Sequence, residues 1–462
     1  MKQNDKIIIT ITDLNEDGDG IGRYDGLVVF CPGLLPGEEA EVRITKVTKS
    51  YATGRSLKLL SGSELRVESP CPLFGSSCGG CRLCHMEYGA QLESKAKHVY
   101  DCLTRIGGLR DMDVLPCLGE EIPFSGRNKL SYPFTVTKNG IECGFYKKNS
   151  HEVVPFSGVK CLAEKPLAKE IRETVCKLAG KYHFTVYNET TQCGFLRHLT
   201  VRFSEYSGKA MVILILGSAL PAGFDRFVSD FRALCPSVTS MYTCTNDDPT
   251  NFLMSGKITK IFEDEPLTNN IGNAIYRISP GSFYQVNSRQ VEKLYSTVYD
   301  YAGIHDGSRI LDMYCGAGTI GLYVVKRFTS ERPDASVTLK GIEIVPSAIE
   351  DANFNASLNG LSAQSEFILG DAPVGAQLLE SRGFTPDTVI LDPPRKGCDR
   401  ALLDTVVRMS PAKIVYVSCK PSTLARDLRI LADEGYEIIK VQPVDMFPMT
   451  GHVETVVLMA RK

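Results

Sequence analysis

Through residues 1–62 apolar and polar positions alternate in short runs, at 7–12, 26–30, 40–47 and 52–60. Gly18, Gly20 and Gly22, Pro32-Gly33 and Pro36-Gly37 punctuate them. Short strands at this spacing predict a small closed β-barrel. A cysteine-rich stretch at 70–85 follows, and 93–106 has helical periodicity closed by Gly107-Gly108. From about 125 to 270 strand patterns dominate, at 129–137, 144–156, 199–204, 209–216 and 258–262. These predict an α+β domain on a mostly antiparallel sheet. Beyond 287 the pattern changes. Asn287, with Gln290 three positions on, predicts a capped helix running to Gly303. Apolar runs at 308–313, 338–344, 366–370, 388–391, 413–418, 437–444 and 455–459 then alternate with helical stretches such as Leu424, Leu428 and Leu431. Strands covered on both faces read as continuous Val/Ile/Leu runs, so this half predicts a doubly wound, Rossmann-like sheet. The chain is thus expected to be a multidomain α/β protein. Its expected units are a barrel (1–62), a middle α+β domain (63–92 plus about 125–270) and the doubly wound domain (about 93–124 plus 271–462).

Composition narrows the function class. The N-terminus lacks the apolar core of a signal peptide, and no stretch approaches the roughly 20 apolar residues of a membrane span. The 16 cysteines therefore point to a cytoplasmic protein whose thiols serve metal, catalysis or packing. A net charge of −2 gives no global attraction to nucleic acid. Local basic runs must do that, and Arg43, Lys46, Lys49, Arg55 and Lys58 form one with no acid between Val42 and Leu60. That run is either a solvated barrel face or a surface that tracks phosphates. Arg127, Lys129, Arg197 and His198 are a second set of candidate phosphate contacts.

In doubly wound sheets ligands sit beyond the carboxyl ends of the strands. Here the first strand ends in Asp312-Met-Tyr314-Cys-Gly-Ala-Gly-Thr, the second in Glu343, the third in Asp371, the fourth in Asp392-Pro-Pro-Arg395 and the fifth in Ser418-Cys419-Lys-Pro. Five consecutive strands ending in functional residue types are poorly explained by packing alone. Small residues let a ligand approach the backbone, and Glu343 stands where a ribose diol is often held. Asp312 suits a structural role, accepting amide hydrogens of the glycine loop. Acids beside a short glycine loop suit a cofactor with a cationic sulfonium and no pyrophosphate.

Together with Gly451-His-Val-Glu454-Thr-Val, these motifs resemble the RNA uracil-5-methyltransferase family. Upstream segments are also similar: Phe283-Tyr-Gln285-Val-Asn287, Gly144-Phe-Tyr146 with Ser150-His151, and Leu196-Arg-His-Leu199. The N-terminal barrel looks like a TRAM domain, and the resemblance spans essentially the whole chain. It implies S-adenosylmethionine as methyl donor and a uridine in RNA, transfer or ribosomal, as acceptor. It assigns Gln285, Tyr314, Glu343 and Asp392 to the cofactor pocket, with Asp371 a candidate on the adenine side. Thr319 departs from the asparagine of some relatives.

Carbon-5 of uracil is a poor nucleophile, and a thiolate adding to carbon-6 raises its electron density. Cysteine suits this because it attacks well and can leave again. Cys419 is the expected nucleophile, and the resemblance makes Glu454 the base that takes the carbon-5 proton. The base must be unstacked to expose both ring faces. Cys71, Cys78 and Cys81, with Cys161 downstream, can by spacing hold either zinc or an iron–sulfur cluster. They resemble the 4Fe–4S ligand set of one branch of the family, on a loop with Gly75, Gly79 and Gly80, while Cys84 is a possible substitute ligand. Two other readings stay open: methylation of another atom, since Asp-Pro-Pro also marks amino-methylating enzymes (Arg395 stands where those need an aromatic), or an inactive RNA-binding iron–sulfur protein. No protein partner is implied, and a monomer is expected.

Overall fold

The computed structural model describes residues 1–462 except 75–77, 111, 157 and 247–252. Strands β1 (Lys6–Leu14), β2 (Gly20–Tyr24), β3 (Leu27–Cys31), β4 (Glu39–Val47) and β5 (Tyr51–Ser61) close into a barrel in the order β1-β2-β3-β5-β4. Alternation drives it: Ile7, Ile9 and Ile11 face inward while Ile8 stays exposed. β2 was read from sequence as glycine punctuation and proves to be a strand. A Cβ at Gly22 would lie 2.6 Å from the Ile9 side chain, and one at Gly54 2.2 Å from Val42. Glycine here lets backbones approach in a tight barrel. The basic residues Arg43, Lys46, Lys49, Arg55 and Lys58 all lie exposed on the β4–β5 hairpin or its turn.

Helix α1 (Tyr88–Arg105) is capped by Glu87, whose carboxylate accepts from Ala90 N at 2.8 Å. It buries Gln91, Lys95, Val99 and Cys102 at helical spacing. Its apolar face joins the core of the C-terminal domain, and residues 114–118 pair with that domain's sheet through Val114↔Val441 and Leu118↔Val444.

The middle domain comprises β6 (Lys129–Thr137), β7 (Gly140–Tyr146), β8 (Val153–Pro155), α2 (Pro166–Lys181), β9 (Leu196–Phe203), β10 (Ala210–Leu216), α3 (Phe224–Leu234), β11 (Val238–Thr245) and β12 (Lys257–Glu263). Its sheet runs β12-β11-β10-β9-β6-β7-β8, with β10 and β11 parallel and every other neighbour pair antiparallel. The predicted strand 144–156 is a hairpin, β7 and β8. β11 was missed because its sequence, VTSMYTCT, is half polar although seven of its eight residues are buried. β10 is buried on both faces. Val212, Leu214 and Leu216 enter the middle-domain core, while Met211, Ile213 and Ile215 enter the core shared with the C-terminal half.

The hairpin β13 (Thr268–Ile271) and β14 (Ala274–Arg277) leads to α4 (Ser288–Ala302). Asn287 caps α4 as expected, and Gly303 closes it with φ 51°. Gln290 does not complete the capping box; its Nε2 donates to Leu118 O and Asp445 O instead. The doubly wound domain follows: β15 (Arg309–Met313), α5 (Thr319–Glu331), β16 (Thr338–Glu343), α6 (Pro346–Leu358), β17 (Ser365–Leu369), α7 (Ala372–Ser381), β18 (Thr388–Leu391), α8 (Arg400–Met409), β19 (Lys413–Ser418), α9 (Pro421–Asp433), β20 (Tyr436–Val444) and β21 (Glu454–Arg461). Sheet order is β17-β16-β15-β18-β19-β21-β20, parallel but for β21. The order reverses between β15 and β18, and this switch opens a crevice at the strand ends.

Candidate active site

Every motif singled out at a strand end lies on the carboxyl side of this sheet. After β15 the chain turns sharply: Tyr314 has φ 62°, Gly316 54° and Gly318 73°. Asp312 anchors the turn by accepting from Gly321 N at 2.9 Å, as expected of a structural acid. Gly316, Gly318 and Gly321 carry the full Gly-x-Gly-x-x-Gly spacing, so the glycines alone do not separate a sulfonium cofactor from a dinucleotide; the acids do. Glu343 closes the loop from β16, accepting from Gly316 N (3.1 Å) and Val345 N (2.9 Å). Asp371, at the start of α7, is exposed, and its charge adds to the burial that raises the Tyr314 phenol. Gln285 stands apart in the chain, buried on the strap joining β14 to α4, its carbonyl accepting from Asn128 Nδ2 at 3.0 Å.

The second group gathers one strand further along. Register pairs Ser418 of β19 with Thr455 of β21, so Cys419 and Glu454 emerge side by side from antiparallel neighbours. Asp392 leaves β18 next to them. Glu454 is 6% exposed, and burial followed by the Asp392 charge pushes its carboxyl well above the usual carboxylate range. Burial pushes Asp392 to about 7 and Asp312 to about 8. Cys419 is half-buried, and burial with the Glu454 and Asp392 charges pushes its thiol up to about 11. Arg395 opposes both shifts, acting on Cys419 and Glu454 alike. The sequence reading noted Arg395 only as the residue replacing an aromatic, and its signal was its place two residues past Asp-Pro.

Buried acids that favour protonation are costly when ionised. A cation seated near Asp312 and Asp392 relieves that cost, and the turn at Gly316 and Gly318 leaves the backbone open to a ligand. The residues present therefore fit a cationic cofactor.

The barrel reaches this end of the sheet. A Cβ at Gly451 would lie 2.4 Å from Glu16 O, and Lys420 Nζ lies 4.0 Å from the Glu16 carboxylate. A cavity of about 360 Å³ opens at this junction, lined by Glu16, Arg82, Arg127, Tyr146, Gly451 and His452, two residues before Glu454. The segment 445–453 is fixed from beneath. Lys95 Nζ donates to Asp445 Oδ1 at 2.5 Å, Tyr88 Oη donates to Asp445 Oδ2 at 2.9 Å, and Phe447 N donates to Asp445 Oδ1 at 3.1 Å. Both Lys95 and Asp445 are 2% exposed or less.

Comparison with known proteins identifies this architecture. Residues 257–462 match the family model of tRNA (uracil-5-)-methyltransferase, and residues 2–57 match the TRAM domain. An uncharacterized RNA methyltransferase of Bacillus cereus is 38% identical over 461 residues, covering 100% of this chain and 98% of its own. The chain belongs to the RNA uracil-5-methyltransferase family. An uncharacterized RNA methyltransferase of Halalkalibacterium halodurans is 39% identical over 463 residues, with 100% and 98% covered. The structure of the Pyrococcus abyssi tRNA (uracil-54, C5)-methyltransferase, solved with S-adenosyl-L-homocysteine, is similar at TM-score 0.76 and 30% identity, covering 98% of each chain. This chain is therefore an RNA-modifying methyltransferase. Among the described residues no helix is long and apolar enough to cross a membrane.

Two remaining expectations fare differently. Cys71, Cys78, Cys81 and Cys161 line one small apolar cavity of about 20 Å³ with Phe145 and Phe156. Cys84 is buried beside it and hydrogen-bonds Cys81. Gly75 lies outside the described residues. The four thiols thus converge, although among the described residues no group of three or more His, Cys, Asp or Glu is drawn to metal-holding distance. The expected phosphate contacts at Arg197 and His198 are not formed as such. Arg197 is buried and donates to both Glu189 oxygens (3.1 and 3.2 Å), and His198 is buried as well. Lys129 is partly buried, and burial with the Arg202 charge pushes its amine down to about 8. Arg127 remains at the cavity beside Gly451 and His452.

Proposed function

We propose that this methyltransferase modifies carbon-5 of a specific uridine in RNA through a covalent bond to Cys419. The observation that carries the reading is the pairing of Ser418 with Thr455, which sets Cys419 against Glu454 beside the junction cavity. S-adenosylmethionine supplies the methyl group, and Tyr314, Glu343, Asp371, Asp392 and Gln285 are the residues that would hold it. The Cys419 thiolate adds to carbon-6, and the ring's displaced electron pair forms an enolate. Carbon-5 then bonds the methyl carbon while the sulfonium carbon–sulfur bond breaks. Glu454 takes the carbon-5 proton; the ring double bond re-forms and the Cys419 sulfur leaves. Arg395 favours the ionised state of both residues. Burial with the Glu454 and Asp392 charges raises the Cys419 thiol, and a cation at this acidic end would oppose that shift.

The barrel (1–62), with its exposed basic hairpin, supplies phosphate contacts. The middle domain (63–92 plus about 125–270) grips the RNA, and about 93–124 plus 271–462 performs the transfer. Cys71, Cys78, Cys81 and Cys161, which line one cavity, are the residues that would hold a 4Fe–4S cluster tying the loop to the middle domain, and reduced thiols accord with a cytoplasmic enzyme. Transfer RNA and 23S ribosomal RNA both remain substrates of the right chemistry. Mapping 5-methyluridine in RNA from cells with and without the protein identifies the target. Trapping on RNA carrying 5-fluorouridine tests the mechanism: fluorine cannot leave as a cation, so the native enzyme stays attached and Cys419→Ala does not. An active Cys419→Ala variant overturns the assignment.

A further inference from the structure

The middle domain holds a second cavity, of about 610 Å³, whose polar residues the methyl transfer leaves unused. Tyr146, His151, Glu189, Arg197 and His198 line it. The Tyr146 ring stands edge-on to His151 (5.7 Å between centroids) and to His198 (5.8 Å). His198 is 3% exposed; its Nε2 lies 3.0 Å from Tyr146 Oη, while its Nδ1 is buried with no hydrogen-bond partner. Buried ring nitrogens are normally satisfied, so this one awaits a ligand. Burial and the Arg197 charge hold the imidazole neutral, pushed down to about 3, and in the tautomer whose Nε2–H donates to Tyr146 Oη the free Nδ1 is an acceptor. Glu189 is part-exposed, and its two bonds from Arg197 leave each carboxylate oxygen further capacity to accept. Arg197 fixes that carboxylate rather than reaching for a phosphate.

Aromatic walls, a fixed acceptor and an orphaned ring nitrogen make a nucleobase pocket, since unstacked bases are held by side-chain stacking and by hydrogen bonds to their edges. Its position suits the known substrate class. Phe145 and Tyr146 line both this cavity and the one beside Gly451 and His452. The two cavities share a wall, so neighbouring nucleotides of one strand can enter both. Because Glu189 and an accepting His198 Nδ1 together call for two donated hydrogens, an exocyclic amino group matches them, whereas uracil offers a single N3–H between carbonyls that oppose them. We propose that this cavity seats a second unstacked base of the RNA, flanking the methylated uridine and bearing an amino group that Glu189 and His198 read.

The proposal builds on the uridine chemistry above, and one experiment separates the two. A pool of RNA hairpins, with loops randomised around a central 5-fluorouridine, is incubated with the full-length protein and S-adenosylmethionine. Covalently trapped RNA is then isolated and sequenced. The native protein should enrich adenine, cytosine or guanine over uracil at one flanking position by about tenfold, the discrimination of one good base-edge contact. His198→Ala and Glu189→Gln should still trap RNA, which shows that they fold and react, yet lose that enrichment. Trapping with no flanking preference, as from a merely water-filled cavity, overturns the proposal; so does a preference unchanged in both variants. No trapping by the native protein refutes the uridine chemistry and the second site with it.

Discussion

Replacing Lys95 by Met tests how the catalytic end is held in place. Lys95 and Asp445 form an ion pair at 2.5 Å with both side chains 2% exposed or less, and the segment that Asp445 begins runs directly to Glu454. Methionine keeps the length of the side chain and removes its charge, stranding a buried carboxylate. Removing one partner of such a pair costs about 3–5 kcal/mol. Asp445 keeps its bonds from Tyr88 Oη and Phe447 N, so the low end, about 3 kcal/mol, is the expected value. At a tenfold change per roughly 1.4 kcal/mol, local opening becomes about 100-fold more frequent. Hydrogen exchange read at the amides of Asp445, Phe447 and Thr450, which donate within this segment or to Leu118, should accelerate by that factor while barrel amides do not. Methyl transfer should fall through kcat with cofactor affinity little changed. Adding Asp445→Asn removes the stranded charge and should recover most of the protection. Exchange within about fivefold of native in Lys95→Met would show that this ion pair does not hold the segment.

Glu454→Gln keeps the shape of the base but not its ability to take a proton; ordinary RNA should then accumulate as a methylated covalent complex, seen on denaturing gels with a labelled methyl donor. Normal turnover, or unmethylated RNA with no adduct, removes Glu454 from the mechanism. Protein purified without oxygen should be brown, with equal iron and sulfide, and Cys84→Ser should keep the colour; one zinc in colourless protein overturns the cluster. RNA affinity should fall with rising salt, and reversing Arg43, Lys46, Lys49, Arg55 and Lys58 should flatten that dependence without affecting cofactor binding. Asp312 and Asp392 are raised to about 8 and about 7, above their unfolded value of about 3.9, so the folded state binds more protons between those limits. Cofactor-free stability should therefore be greatest in acid and decline toward pH 8, by up to about 1.4 kcal/mol per pH unit and carboxyl. S-adenosylmethionine, being cationic, should flatten that decline; a stability that rises over pH 5–8 refutes it.

The sequence by itself determined the doubly wound sheet almost strand for strand. Parallel strands buried on both faces are written as unbroken apolar runs, so β15, β18 and β19 announce themselves without reference to anything distant, while β16 and the edge strand β17 show the pattern only in part. The same holds for the barrel's inward Ile7, Ile9 and Ile11, for the Asn287 cap and for Gly303, whose causes lie within a few residues. The residues at the strand ends were legible too, because motif order along the chain becomes side-by-side order in a parallel sheet. What sequence missed had causes elsewhere in the molecule. β2 is a strand because Ile9 and Leu34 crowd its glycines, and β11 is buried despite its hydroxyls because neighbouring strands and both cores cover it. Arg197 looked like a cation for phosphates until the fold set Glu189, eight residues before it, against its guanidinium. The raised acids at the crevice, the Arg395 charge acting on both Cys419 and Glu454, and Lys95 beneath the last loop are likewise products of assembly. A charge's energy depends on the water excluded around it and on partners as far as 357 residues away, and only the closed tertiary structure fixes either.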